Sequence, residues 1–257
     1  MTCKTTSHVP LSLKCFLMIL TSFVFYLSAQ PADYPIGLKE KLKSINEVII
    51  LPIDFDCYYL TSGGIREYNH DMSIKARKLI MDRTSKILLN RSFSISTLPE
   101  DSYIEKGWRP LRQFYSVVNW EILRNVYGTL PFPNAVTTFA YSIPPIPDSL
   151  LYPKTDAVLF IDGFDDCATK RRLGREGAAA ALAAVSVVSM ILGGPGVFVS
   201  VPQDQTIATC ALVDRSGAVI WYYRYSQEGT IDMTTEKDID VFLSSLLAKL
   251  SKGESSE

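Results

Sequence analysis

The chain has 257 residues, of which 47% are hydrophobic and 21% are charged, and its formal net charge is −1. This length and composition exclude intrinsic disorder and are typical of one domain, or one domain with embellishments, that buries a full core. A charge this close to zero gives no reason to expect nucleic-acid binding.

The amino terminus has the layout of an export signal. Lys4 and Lys14 precede an apolar run over residues 15–27, and a small residue, Ala29, follows shortly after it. The run is shorter than the roughly 20 residues of a spanning helix, so it predicts a signal peptide over 1–29, with a retained anchor as the alternative. Cys15 is badly placed for lipidation, and we expect no lipid anchor.

We therefore expect an exported protein that is periplasmic or associated with the outer membrane. After the signal, a leader over 30–46 precedes one α/β domain over 47–252, and residues 253–257 form a tail. The domain carries two inserts, which are a Pro- and aromatic-rich stretch over 128–153 and an apolar insertion over 168–205.

The first part of the domain predicts a βαβ unit. A strand within residues 47–57 contains a continuous apolar run that is typical of burial on both faces. Pro52 cannot donate to a ladder, so we expect it at a bulge or on an unpaired side. A helix from an N-cap at Asp71 to about Asn90 leads to a second strand over 92–98, which should run parallel to the first.

Residues 58–70, between the first strand and that helix, predict a loop. A second helix over 111–127 should bury one side, and the Pro-rich stretch after it should pack as a cover over the sheet. The residues expected on the buried side of that helix are Phe114, Val117, Val118, Ile122 and Val126.

The carboxyl-terminal half predicts a strand, a hairpin and a closing helix. The strand covers Ala157–Ile161 and should end before the acidic pair Asp165 and Asp166. A hairpin over 206–225 turns at Gly217, where a positive φ is easily adopted. A helix capped by Thr234 or Thr235 then carries a clean apolar stripe.

The phrases TDAVLFIDG at 155–163 and ALVDRSGAVIWYYR at 211–224, followed by an amphipathic helix, resemble exported bacterial α/β domains. These are the curli-secretion lipoprotein family, the amino-terminal domain of the Tol-system propeller protein, and related envelope lipoproteins. The resemblance implies a non-enzymatic envelope protein that acts in assembly or docking. Its partners would be further copies of the chain, another envelope protein or a membrane, and no cofactor is expected.

Four carboxylates support an alternative function, in which the protein is an enzyme. Asp54 and Asp56 follow an apolar strand, and Asp165 with Asp166 follow another. In a parallel sheet both pairs could meet at the carboxyl edge, where they could hold Mg²⁺ and a phosphate. The alternative is a metal-dependent phosphohydrolase, although the Gly-Thr that normally follows such a DxD motif is missing. A second alternative is a small-ligand binding module that uses the aromatic stretch 114–152.

The apolar insertion is the feature that most requires a function. Residues 177–202 contain no charged residue over 26 positions. They are preceded by a basic segment, the clip, which contains Lys170, Arg171, Arg172 and Arg175. The segment could be a buried crossover helix, a hairpin that enters a membrane or lines an oligomer, or a small-residue surface between subunits. The predicted contact residues are Lys170, Arg171, Arg172, Arg175, Leu182, Val185, Val188, Met190, Ile191, Leu192, Val197 and Phe198.

Three cysteines remain once the signal is removed, at positions 57, 167 and 210. None has the spacing of a zinc site. Cys167 and Cys210 lie at or in predicted strands of one sheet and could pair, but small buried hydrophobic side chains are the favoured interpretation.

Overall fold

The computed structural model describes residues 38–61, 65–98, 103–104, 107–127, 139–168, 204–229, 231–248 and 250. Its elements in chain order are α1 Leu38–Ser44, β1 Glu47–Ile50, β2 Asp54–Leu60, β3 Arg66–Tyr68, α2 His70–Asn90, β4 Ser94–Thr97, α3 Arg109–Asn125, β5 Ala157–Ala168, β6 Gln205–Asp214, β7 Val219–Glu228 and α4 Glu236–Leu246. The predicted α/β fold with a mixed sheet, a βαβ unit, a hairpin and a closing helix is confirmed. The signal segment and the insertion at 169–203 lie outside the described residues.

The first predicted strand is two strands in one line, and both run parallel to β5. Val48 of β1 faces Ala157, whereas Asp54 of β2 faces Asp162, so three residues of this line oppose two residues of β5. The extra residue makes a β-bulge at residues 51–53, and this bulge contains Pro52, as predicted. Leu51 N still donates to Leu159 O, at 3.2 Å, so pairing with β5 continues up to the residue before the proline. It begins again after the proline at Asp54.

The sheet extends from β5 in both directions. On one side β6 pairs antiparallel with β5, and β7 pairs antiparallel with β6. On the other side β4 pairs parallel with β1, as the βαβ prediction requires. The loop prediction for 58–70 is wrong in part, because β2 continues to Leu60 and β3 pairs antiparallel with it.

One face of the sheet is covered by α1, α2 and α4. The predicted stripe of α4 is buried there, with Ile239, Phe242 and Leu243 all completely excluded from solvent. Thr235 caps α4 by accepting a hydrogen bond from Asp238 N, as predicted. The cap of α2 is Asn69 instead of Asp71, because the Asn69 side chain accepts from Met72 N.

The leader also contributes to this face. The sequence separates residues 30–46 from the domain as a leader, but the end of this leader forms α1, which places Leu42 in the core, and Ile45 follows it there. Burial of these two apolar side chains is what fixes an otherwise charged segment.

The opposite face is covered by α3 and by the stretch that follows it. Residues 139–151 of the Pro-rich stretch pack there, as predicted, with Ile143, Ile146 and Leu150 in the core. The predicted side of α3 is confirmed in part, because Ile122 and Val126 are buried and Val118 packs against the core. Leu111 and Tyr115 are buried in place of Phe114 and Val117. Tyr115 stacks on Phe160 of β5 with ring centroids 4.1 Å apart. The outer surface of α3 consequently exposes Phe114, Val117 and Trp120.

The β6–β7 hairpin turns where the sequence predicts. Gly217 has φ +85°, and a Cβ at this position would lie 2.2 Å from Ile143 O, so only glycine fits. The carboxylate of Asp214 accepts from Ala218 N and closes the turn. This turn therefore also anchors the cover at 139–146 to the sheet, where Ile143 N donates to Gly217 O.

Candidate functional site

The four carboxylates of the predicted metal site lie inside strands and do not follow them. Asp54 and Asp56 belong to β2, and β5 does not end at Ile161 but continues through Asp165 and Asp166 to Ala168. The prediction that this strand ends before the acidic pair is therefore wrong. The reason is that each acid finds a partner within the fold, which a sequence pattern cannot reveal.

Two of these carboxylates are paired with different arginines. Asp56 forms an ion pair with Arg77 of α2, whose Nε also donates to Phe55 O at 2.9 Å. Asp166 is buried and pairs with Arg66 of β3 at 2.6 Å. Asp56 and Asp166 are therefore each engaged by a separate arginine.

Asp165 lies on the opposite face of β5 from Asp166 and is also buried. It accepts hydrogen bonds from Thr206 Oγ1 at 2.6 Å and from Cys167 Sγ at 2.8 Å. Burial raises the pKa of Asp165, while these two hydrogen bonds act in the opposite direction. Among the described residues, no group of three or more His, Cys, Asp or Glu side chains is arranged to hold a metal ion.

A different acidic pair meets at the middle of the sheet, and sequence reasoning missed one member of it. Asp54 faces Asp162 across the β2–β5 ladder. Arg112 of α3 reaches both, with an ion pair to Asp162 and a 3.4 Å contact from Nε to Asp54 Oδ2. Asp162 had no sequence signal of its own, since it stands between an apolar strand and the more conspicuous acidic pair that follows.

Arg112 also fastens the bulge. Its Nη1 donates to the carbonyl of Pro52 at 2.7 Å, so one guanidinium joins α3, the bulge and both carboxylates. The Arg112 side chain is 13% exposed and that of Asp162 is 18% exposed, whereas that of Asp54 is 60% exposed. The two carboxylates thus share a single, largely buried positive charge.

A cleft of about 290 Å³ opens beside this cluster, between α3 and the sheet. Asp54 and Asp162 stand on one side of it, and Leu123, Phe164 and Ile207 supply apolar walls. Asn119 and Thr209 complete the lining. Asn119 lies within the aromatic stretch that was predicted to take a small ligand, but the aromatic side chains of 139–151 pack on the core instead.

Burial raises the pKa of Asp162 from its ordinary value of 3.8 to about 6, and Arg112 opposes this rise. An acid whose pKa is higher in the folded state than in the unfolded state stabilises the fold as long as it is protonated. This contribution is present below about pH 3.8 and is lost as the pH rises through 6. Relative to Asp162→Asn, we expect the wild-type free energy of unfolding to fall by up to about 3 kcal/mol between pH 4 and pH 7.

Urea unfolding of both proteins across that range measures this difference. Asp162→Asn serves as the reference because asparagine has nearly the same shape as aspartate and does not titrate. The pH dependence of all other groups then cancels in the difference between the two proteins. A difference between the two proteins that stays constant, or that grows in favour of the wild type as the pH rises, would contradict the assignment.

The three cysteines of the described residues do not pair with one another. Cys57, Cys167 and Cys210 are free and buried. Cys210 faces Ile161, which is six residues from Cys167 along β5, or about 20 Å at the rise of a strand. Burial raises the pKa of Cys57 to about 12. The favoured interpretation, that the three are small buried hydrophobic side chains, is confirmed.

The predicted contact residues between Lys170 and Phe198 lie outside the described residues, but the ends of their segment are defined. Asp166 of β5 and Gln205 of β6 face each other as the last pair of an unbroken ladder. The two strand ends that residues 169–203 connect therefore lie at neighbouring positions of the sheet. Within the described part of the chain, no helix has the length and apolar character needed to cross a membrane.

Comparison with known proteins gives no family assignment. No family model and no curated protein matches this chain. Two solved structures show a distant likeness at 10% sequence identity and a TM-score of 0.33. One is a PelC dodecamer from Paraburkholderia phytofirmans, with 88% of this chain and 97% of that chain covered. The other is the same dodecamer with one leucine replaced by methionine, with 81% and 89% covered. At this TM-score neither structure establishes a shared family.

Proposed function

We propose that this protein is an exported, non-enzymatic component of the bacterial cell envelope that docks and assembles through residues 169–203. The carrying observation is the β5–β6 ladder, which stays in register up to Asp166 and Gln205. Adjacent antiparallel strands need only a two-residue turn between them. A connection of this length at such a position is an addition to the fold and requires a purpose of its own.

The composition of the connection supports a contact role. Residues 177–202 carry no charge, and the clip formed by Lys170, Arg171, Arg172 and Arg175 precedes them in the sequence. An apolar segment of this kind has to be buried against something. If the contact is a membrane, the basic residues just outside the segment would meet anionic lipid headgroups.

The described fold offers this segment little room of its own. The helices α1, α2 and α4 cover one face of the sheet, and α3 with residues 139–151 covers the other. The connection also joins antiparallel neighbours, so no crossover helix is needed between them. Both observations favour a membrane or protein contact over a buried crossover helix.

The carboxylates give no support to the phosphohydrolase alternative. Asp56 and Asp166 are paired with separate arginines, and Asp165 is hydrogen-bonded inside the sheet on the opposite face. The predicted export signal and the resemblance of the strand and hairpin sequences to envelope domains agree with a docking role.

Two sets of substitutions test the proposal on the full chain. We expect Val185→Glu with Val188→Glu to lower the membrane-bound or assembled fraction at least about tenfold, because buried charges are costly in either contact. The control is Val117→Glu on the exposed surface of α3, which should leave both fractions unchanged. Vesicle flotation and native mass measure the two fractions.

Neutralising the clip separates the two kinds of contact. Replacing Lys170, Arg171, Arg172 and Arg175 by Gln should weaken flotation with anionic vesicles by about fivefold per charge, if headgroups are the contact. If subunits or an envelope protein are the contact, the clip variant should keep its native mass and the valine variants should lose it. Valine variants that behave like Val117→Glu in both measurements would overturn the proposal.

A further inference from the structure

We propose that the outer edge of β7 pairs with the same edge of a second copy of the chain, as antiparallel strands related by a two-fold axis at Ser226. Arg224 of each copy then lies opposite the partner's Glu228. This inference does not rest on the proposed function, because the residues that make the contact belong to the described fold and not to residues 169–203.

The hydrogen bonds between β6 and β7 show which groups of β7 point away from the sheet. The two strands are antiparallel, and Gly229 N donates to Asp204 O at 2.9 Å just beyond the last pair of the ladder. Bonded and non-bonded pairs alternate along an antiparallel ladder. The N–H and C=O groups of Arg224, Ser226 and Glu228 are therefore directed outward, away from β6.

The described residues cover this edge only where β7 begins. Val219 N donates to Tyr141 O at 2.9 Å, at the first residue of the strand. Further along, no hydrogen bond within the described part of the chain reaches the outward backbone groups of Arg224, Ser226 or Glu228. A row of unpaired N–H and C=O groups on a strand is a template for a further strand.

The two charged side chains of this edge have no counter-charge among the described residues. The ion pairs of that part of the chain include neither Arg224 nor Glu228. Arg224 Nε is buried without a hydrogen-bond acceptor, and its guanidinium lies 5.9 Å from the ring centroid of Tyr127. Arg224 and Glu228 share one face of the strand but lie about 13 Å apart along it, so they cannot neutralise each other.

A second copy supplies both counter-charges. Arg224 and Glu228 are equally far from Ser226, so a two-fold axis at Ser226 places each arginine directly opposite the partner's Glu228. Opposite charges that face each other across an antiparallel pair attract, and like charges repel. A parallel pairing in register would place Arg224 opposite the partner's Arg224. The charges therefore select the antiparallel arrangement, in which the small, exposed Ser226 side chains meet at the axis.

The contact is small, and the pair should be weak. Arg224, Ser226 and Glu228 of the two copies would exchange about six backbone hydrogen bonds. An edge this short buries less than the roughly 1,200 Å² of a stable interface. We therefore expect free chains at micromolar concentration and pairs at about 1 mM, or wherever the chains are held close together. Because the pairing uses the same edge of both copies, it stops at a dimer.

Disulfide cross-linking of the full chain tests the pairing. Directly opposite residues that exchange hydrogen bonds have Cα atoms about 5.5 Å apart, which a disulfide can span. Ser226→Cys should therefore cross-link two copies at least about tenfold faster than Ser244→Cys, at about 1 mM chain in a glutathione buffer. Ser244 is the matched control because it is an exposed serine on α4, and the wild type reports any dimer formed by the native cysteines. Equal rates for the two variants would overturn the proposal.

Charge reversal in the Ser226→Cys protein tests the register. Adding Glu228→Arg places two arginines opposite each other and should slow cross-linking about fivefold, whereas the neutral Glu228→Gln should slow it less. Adding Arg224→Glu to Glu228→Arg restores opposite charges and should return the rate to within about twofold of Ser226→Cys alone.

The Tm of each variant shows whether its fold is intact. If Arg224→Glu lowers the Tm, the comparison of Glu228→Arg with Glu228→Gln decides, because Glu228 is exposed and its substitution leaves the fold unchanged. A Glu228→Arg protein that cross-links as fast as Ser226→Cys alone would refute the pairing of Arg224 with the partner's Glu228. A folded charge-swap variant that stays as slow as Glu228→Arg would refute it as well.

Discussion

Replacing Arg112 by methionine is expected to lower the free energy of unfolding by about 3–5 kcal/mol, the largest effect of any single substitution considered. Methionine keeps much of the hydrocarbon stem of arginine and removes the guanidinium. Asp162 would then be a buried acid without its counter-charge, and Pro52 O would lose its donor at the bulge. Removing one partner of a buried pair is costly because it leaves the other charge uncompensated.

Arg215→Met is the matched control. Arg215 pairs with Asp148 at 2.6 Å, but the two side chains are 40% and 89% exposed, so solvent screens the pair and the expected loss is at most about 1 kcal/mol. The double variant Arg112→Met with Asp162→Asn should recover part of the stability, because the unpaired charge is gone. Urea unfolding measures all four proteins. Equal losses of free energy of unfolding in Arg112→Met and Arg215→Met would contradict the proposed role of Arg112.

Local sequence rules predicted the parts of the fold that depend on neighbouring residues. The bulge at Pro52 follows from its missing N–H, and the turn at Gly217 follows from its positive φ. The apolar stripe of α4 follows from helical periodicity and was found buried. Each of these features is decided within a few positions along the chain.

Features that depend on distant partners were missed. Asp166 can lie within a strand because Arg66, one hundred positions earlier, neutralises it. In the first half of α3, Tyr115 is buried in place of Phe114 and Val117, and this goes with the contacts of Arg112 with Asp162 and of Tyr115 with Phe160, both across long separations in sequence. An amphipathic pattern fixes only an approximate face, and the ion pair and the ring contact select the final one.

The cleft could not be predicted for the same reason. Its lining comes from β2, α3, β5 and β6, which are separated from one another by long stretches of chain. Thr209 and Asn119 have no sequence signal, since threonine in a strand and asparagine in a helix are common residues. Only the register of Asp54 with Asp162 shows that their side chains stand together.

Deleting residues 169–203 and joining Ala168 to Asp204 through a short turn is expected to abolish docking while leaving the fold intact. The fold should survive because Asp166 and Gln205 already face each other, so a hairpin turn can close the ladder. Shortening the connection should also cost little or nothing in loop entropy. The Tm of the variant should therefore lie within a few degrees of the wild type.

The most direct measurement is vesicle flotation together with native mass, made on the full chain and on this deletion variant side by side. The proposed function predicts that the full chain floats with vesicles or has a mass of several subunits, and that the deletion variant is a folded monomer that stays at the bottom of the gradient. A deletion variant that floats and assembles as the full chain does would contradict the proposed function.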